Sequence, residues 1–135
     1  MHITRHRHES VQGPAECFTG TVRLEEIAVP PAPSRLRIFN VRFEPGAHTA
    51  WHRHPHGQVL HVVEGEGLVQ REGGAAEPIK VGDTVWIEPG EWHWHGAGPH
   101  TAMSHIATVE AADDGTTTDW AAHVDPHDYA CAHAS

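Results

Sequence analysis

The sequence predicts an all-β domain, built as a sandwich or a barrel. Short segments alternate apolar and polar residues, as strands with one buried face do. Turns that contain glycine or proline separate these segments at intervals of about ten residues, which is typical of sandwiches and barrels. A chain of 135 residues is long enough to bury a core of its own, so a single domain spanning residues 1–135 is expected.

Two strands are predicted in the first third of the chain. Residues 18–27 alternate after a Gly-Pro turn, and residues 35–43 alternate cleanly, with Phe39 and Val41 on the same side. Several prolines lie between the two segments and cannot donate to a sheet ladder, so an extended connector is predicted there.

The middle of the chain predicts several shorter strands. Residues 58–63 are apolar on both faces except at His61, which predicts a strand covered on both sides. The Glu-Gly-Glu-Gly run at residues 64–67 predicts a tight turn, with a strand returning over residues 68–71. The remaining predicted strands cover residues 77–81 (after a Gly-Gly hairpin turn), 84–87 and 101–109.

The C-terminal end carries the helix signal. Asp125 is suited to the N-cap position and Pro126 to the first helical position, so a short helix over Pro126–Ala132 is predicted.

Composition excludes some partners. The formal net charge of -9 argues against nucleic acid and against an anionic membrane surface. The N-terminus lacks an apolar segment and no apolar run approaches the length of a membrane span. The two cysteines are far apart and lack metal-site spacing, so free thiols in a reducing compartment are expected. The expectation is a cytoplasmic protein with a small-molecule substrate.

A histidine pair carries the first functional signal. His52 and His54 are two residues apart, which on a strand places both imidazoles on the same face. Gln58 follows a Pro-His-Gly turn and can bring an oxygen to the same point. Nitrogen and oxygen donors together suit a divalent transition metal, and these ligand types do not choose among Mn, Fe, Co, Ni and Zn.

Two glycine-bounded stretches resemble the two motifs of the cupin superfamily. In the first, Gln58 stands where the family motif has Glu. In the second, Glu88 stands in place of Pro and Ala97 in place of Asn. The residues that match are Gly46, His52, His54 and Gly65 in the first motif, and Gly82, Gly90 and His93 in the second.

The resemblance implies a cupin double-stranded β-helix, which is a conical jelly-roll barrel, with a metal-binding core over about residues 35–110. It implies four metal ligands. Carried over position by position, they are His52, His54, Gln58 and His93.

Three segments are similar to the small manganese-dependent bacterial cupins that act as hydroxynitrile lyases. They are His-Arg-His-Pro-His-Gly-Gln at residues 52–58, Pro-Gly-Glu-Trp-His-Trp-His-Gly at 89–96, and Thr-Ala-Met-Ser-His at 101–105. This likeness implies manganese as the metal. It also implies an enzyme that cleaves or forms cyanohydrins, which are adducts of an aldehyde or ketone with cyanide.

Two histidines outside the shared metal motif are candidate catalytic residues. His95 is two residues after His93 and faces the same way on a strand, and His105 lies on the predicted last strand. Either could act as the base that takes the substrate's hydroxyl proton, and the other could guide cyanide. The plainer alternative for each is a hydrogen-bonded core histidine. The candidate pocket walls are Phe39, Val41, Met103 and Val109.

Two other functions stay open at this point. A metal-dependent dioxygenase would want Fe(II) and oxygen, and a non-catalytic cupin would only bind a small ligand or the metal. Self-association as a homodimer or homotetramer is expected, because Trp86, Trp92 and Trp94 are predicted to point outward on one side.

Overall fold

The computed structural model describes residues 1–133, which form twelve β-strands and one α-helix. Among these residues, no helix is long and apolar enough to cross a membrane. In chain order the elements are β1 (Val11–Gln12), β2 (Phe18–Thr19), β3 (Val22–Ala28), β4 (Leu36–Phe43), β5 (His48–Thr49), β6 (His52–Arg53), β7 (Gln58–Arg71), β8 (Glu77–Lys80), β9 (Thr84–Ile87), β10 (His93–Ala97), β11 (Met103–Glu110), β12 (Asp119–Trp120) and α1 (Pro126–Ala132).

Two curled antiparallel sheets share the long strand β7 and enclose the core between them. In one sheet the order is β1-β3-β4-β11-β7-β9, and the first half of β7 pairs with both β11 and β9. In the other sheet the second half of β7 lies between β8 and β10, and β10 pairs in turn with β5 and β6. The all-β prediction and the C-terminal helix are confirmed, and Asp125 caps the helix by accepting a hydrogen bond from the His127 N–H at 2.8 Å.

The predicted turn at residues 64–67 is wrong, because β7 runs through it as one strand of 14 residues. The glycines there permit close approach of other backbones. A Cβ on Gly65 would overlap the carbonyl oxygen of Ala102, and one on Gly67 would overlap that of Gly96. These two glycines therefore let β7 pass from one sheet to the other where the sheets come together.

The other strand predictions hold with small changes of boundary. The segment at residues 35–43 is β4, and the segment at residues 101–109 is β11, starting two residues later. The predicted strand at residues 18–27 is divided into β2 and β3 at Gly20, which has a φ of 80°.

The prediction that Trp94 points outward is also wrong. Trp94 is fully buried and packs with Leu68 and Val124, and its indole Nε1 donates to Gln70 Oε1 at 2.9 Å. Both faces of β10 are covered, because the segment containing Val124 and helix α1 closes over the outer one. Trp86 is 54% exposed. Self-association stays a prediction.

We predict that Gly65→Ala destabilises the protein more than Gly73→Ala. Both glycines have positive φ, 72° and 77°, so each substitution carries a similar conformational cost of about 1–2 kcal/mol. Only the Gly65 methyl would meet another backbone, which adds about 1–3 kcal/mol of overpacking. Urea unfolding of both variants measures the difference, and equal losses would contradict the close approach.

Candidate metal centre

Three histidines meet where β6 and β10 pair. His52 and His93 lie directly opposite each other across the two strands, and His95 follows two residues along β10 on the same face. The ligand atoms of the three side chains all lie within 4.8 Å of one another. All three side chains are buried. The pairing of a short strand with a distant one thus builds a compact cluster of imidazoles.

Backbone carbonyls fix the direction in which the histidines present their lone pairs. His52 Nδ1 is 2.8 Å from the carbonyl oxygen of Ala50, and His93 Nδ1 is 2.9 Å from that of Glu91. A neutral imidazole carries one N–H, which in this arrangement donates from Nδ1. The lone pair of each ring therefore lies on Nε2, as it does in a metal-ligating histidine.

His54 is held in the same way from the other side of the cluster. Its Nδ1 is 2.9 Å from the carbonyl oxygen of Thr117, and its Nε2 is buried with no hydrogen-bond partner among the described residues. Its ring centroid lies 5.0 Å from that of His52 and 5.3 Å from that of His93. A buried lone pair without a partner is costly unless a ligand or ion meets it.

Gln58 completes the set of donors. Its Oε1 is 3.2 Å from His93 Nε2, the nitrogen that carries the lone pair. Two acceptor atoms that face each other at this distance are stabilised by a cation that both can bind. Together with the unpartnered nitrogen of His54, this arrangement fits a divalent metal ion held by neutral nitrogen and oxygen donors.

The structure brings together all four ligands that the cupin resemblance implies, His52, His54, Gln58 and His93. The three histidines whose ligand atoms all lie within 4.8 Å of one another include His95 and not His54. His95 is therefore a further histidine beside the four implied ligands.

A second histidine extends the cluster into the core. His105 Nε2 is 3.0 Å from His95 Nδ1, so one N–H is shared between the two rings. Both side chains are buried, and Phe43 makes an edge-to-face contact with each of them. His95 Nε2 and His105 Nδ1, the outer nitrogens of this pair, have no hydrogen-bond partner among the described residues.

Burial keeps these imidazoles neutral. Loss of solvent lowers the pKa of His93 and that of His105 to about 4. For His52 and His95 burial lowers the pKa well below its usual value, and neighbouring histidines add to the effect. Burial also lowers the pKa of His54. Near neutral pH each ring is therefore neutral and holds one lone pair. In the His95–His105 pair one lone pair accepts the shared N–H, so only one outer nitrogen of that pair keeps a free lone pair, as a general base requires.

A largely apolar cavity of about 440 Å³ opens beside the cluster. His52, His54, Gln58, His95 and His105 all reach it. The predicted wall residues that line it are Phe39, Val41 and Val109; others that line it are Phe18, Leu24, Thr117, Thr118 and Trp120. The last three come from a segment that sequence spacing does not connect to the site.

Met103 does not line this cavity, contrary to the prediction. It is fully buried in the main hydrophobic core, with its sulfur beside Gly67. Met103 shares the inward face of β11 with His105, but it lies at the end of the strand that the cavity does not reach. Alternation along a strand predicts which face a residue lies on, but not how far along the barrel it lies. This explains why Met103 was wrongly predicted to line the cavity.

Comparison with known proteins agrees with this geometry. Residues 39–107 match the family model described as the cupin domain. The chain belongs to the cupin family. It is 53% identical over 120 residues to an (R)-mandelonitrile lyase of Granulicella tundricola, a match that covers 89% of this chain and 91% of the relative. Similarity to a named lyase supports an enzymatic role for this cupin.

Solved structures show the same fold. A cupin-like protein of Thermotoga maritima aligns with a TM-score of 0.86 and 34% identity, over 93% of this chain and 94% of that one. A cupin-2 domain protein of Rhodospirillum rubrum aligns with a TM-score of 0.70 over 95% of this chain and 84% of that one. The second likeness is at 18% identity and shows the fold alone.

We predict that the metal-free protein loses stability as the pH falls from about 6.5 towards 4. His93 and His105 have a pKa of about 4 when folded, against an ordinary value of 6.5, so in this window the unfolded chain binds more protons. The stability is fully present above the window, and each such histidine removes up to about 1.4 kcal/mol per pH unit within it. Urea unfolding of chelator-treated protein across this range measures the slope. His105→Gln should reduce the slope, whereas substitution of the exposed His61 should leave it unchanged.

Proposed function

We propose that this cupin is a metal-dependent hydroxynitrile lyase, which cleaves cyanohydrins to an aldehyde or ketone and hydrogen cyanide, or forms them. The observation that carries the proposal is the placement of His105 and His95 in the wall of an apolar cavity beside the candidate metal centre. The identity to a mandelonitrile lyase over most of both chains supports it independently.

The metal is proposed to be manganese, held by His52, His54, Gln58 and His93. All these donors are neutral, so a divalent ion keeps its full charge. When bound, the ion supplies Lewis-acid stabilisation of the negative charge that develops on the substrate oxygen.

The protein's own residues account for the proton transfers. In the cleavage direction, the proposed base is His105, which lines the cavity. With the shared N–H on its Nε2, its Nδ1 has no other hydrogen-bond partner among the described residues, and the lone pair there accepts the proton of the substrate hydroxyl. The oxygen then forms the carbonyl double bond as the bond between the carbinol carbon and cyanide breaks, and cyanide leaves with that electron pair. The proton held on the histidine pair passes to cyanide, which departs as hydrogen cyanide, and both rings return to neutrality.

The cavity lining favours this order of events. The side chains of Phe39, Val41 and Val109 are apolar and exclude water from the reacting groups. In such surroundings an imidazolium is disfavoured, as the lowered pKa of His105 shows, so the proton is released readily to the leaving cyanide. Formation of cyanohydrins uses the same steps in reverse.

The decisive experiment measures cyanide release from mandelonitrile. Protein loaded with Mn²⁺ is expected to cleave the substrate well above the buffer rate, and chelation is expected to abolish this. His105→Gln should lower kcat by roughly 100-fold or more, as expected when a general base is lost. His61→Gln serves as the matched control, because His61 is exposed on the outside of β7.

Elemental analysis of the protein as purified separates the alternatives. Manganese together with cyanide release supports the lyase, and iron together with oxygen uptake supports a dioxygenase. If metal-loaded, folded protein cleaves mandelonitrile no faster than buffer alone does, this result would falsify the lyase proposal.

We further predict that Gln58→Glu lowers the turnover of cyanohydrins while the metal stays bound. A carboxylate at this position lowers the formal charge of the site by one, so the developing oxygen anion is stabilised less. A fall in kcat of about 10-fold, or about 1.4 kcal/mol, is expected. Gln12→Glu, which adds the same charge on the exposed β1, is the control, and an unchanged kcat in both variants would contradict the role given to Gln58.

A further inference from the structure

A segment outside the matched cupin region crosses the candidate metal centre. We name residues 116–120 the C-terminal strap; they lie beyond residues 39–107, the part that matches the family model. The strap ends in β12, which pairs with β6. Arg53 Nε donates to Asp119 Oδ2 at 2.9 Å, and the Ala121 N–H donates to the carbonyl of Trp51 at 2.8 Å.

The strap supplies both hydrogen-bond acceptors of His54. The carbonyl oxygen of Thr117 is 2.9 Å from His54 Nδ1, and the hydroxyl oxygen of Thr118 is 3.3 Å from the same nitrogen. The two threonine hydroxyls also lie 3.2 Å apart and hydrogen-bond each other. Two acceptors at Nδ1 hold the proton there, so the lone pair stays on the buried Nε2.

The strap also covers His52. Trp120 is paired with His52 across β12 and β6, and the two ring centroids are 4.7 Å apart with an interplanar angle of 31°. The indole also packs edge-to-face with Phe18, with ring centroids 5.7 Å apart. The His52 ring is thereby enclosed between its carbonyl partner and an aromatic face, which limits its rotation and excludes water.

We propose that Thr118 and Trp120 are positioning residues that orient His54 and His52 for metal binding. The strap completes a centre whose donors, and the carbonyl partners of His52 and His93, come from the matched cupin region, whereas the partners of His54 do not. This inference rests on the proposed metal centre. It adds that high affinity for the metal depends on the C-terminal strap. Neither residue contacts the metal or the reacting atoms in this scheme.

The test is the Mn²⁺ dissociation constant of the full-length protein, measured by titration calorimetry. Thr118→Val keeps the shape and removes the acceptor, and Trp120→Leu removes the aromatic cover; each is expected to weaken binding roughly 10-fold to 100-fold. Thr118→Ser and Trp120→Phe should restore affinity to within a few-fold of the wild type. Thr116→Val is the matched control, because Thr116 is an exposed strap residue that lines the same cavity but hydrogen-bonds neither His54 nor His52.

Unfolding of the metal-free variants in urea distinguishes positioning from folding. A merely structural role lowers the free energy of unfolding and leaves Kd unchanged, and that result overturns the inference. Wild-type affinity in both Thr118→Val and Trp120→Leu also overturns it while leaving the metal centre intact. Failure of the wild-type protein to bind Mn²⁺ overturns the metal centre itself and the strap's role with it.

Discussion

The hydrogen bonds from imidazole Nδ1 to backbone carbonyls are the interactions on which the candidate metal centre depends. A buried neutral imidazole needs an acceptor for its one N–H and a partner for its one lone pair. An unsatisfied buried donor costs about 1–3 kcal/mol. By satisfying the N–H on one side of each ring, the backbone directs the lone pairs to a common point. The three pairs are His52 with Ala50, His93 with Glu91 and His54 with Thr117.

The close meeting of the two sheets keeps these imidazoles dry. Gly65 and Gly67 allow β7 to lie against neighbouring backbones, so the barrel is closed by apolar side chains beneath the histidines. Low solvation then lowers the histidine pKa values and strengthens every electrostatic interaction in the cavity. The same packing therefore keeps both the candidate metal ligands and the proposed proton acceptor neutral.

Local patterns predicted much of this molecule, and distant contacts account for what they missed. The spacing of His52 and His54 predicts a shared strand face without any knowledge of the fold. His93, in contrast, is predicted as a ligand only by the cupin resemblance. Glycine can form a tight turn, or it can let another backbone approach closely. The sequence at residues 64–67 does not distinguish these two roles. The prediction that Trp94 points to solvent is wrong because the segment that covers it lies about thirty residues further along the chain. Alternation of apolar and polar residues within a strand cannot reveal such a distant contact.

Gln58 affects both the charge of the candidate metal site and the arrangement of its donor atoms. In the proposed function its amide oxygen is a ligand that adds no charge, so a divalent ion would keep its full charge toward the substrate oxygen. An anionic ligand would bind a cation more tightly and yet would stabilise a second anion less. In this site the neutral ligand leaves affinity to depend more on how well the histidines are held. The proposed function therefore implies that outer supports such as the carbonyls and the C-terminal strap matter more here than they would around a carboxylate ligand.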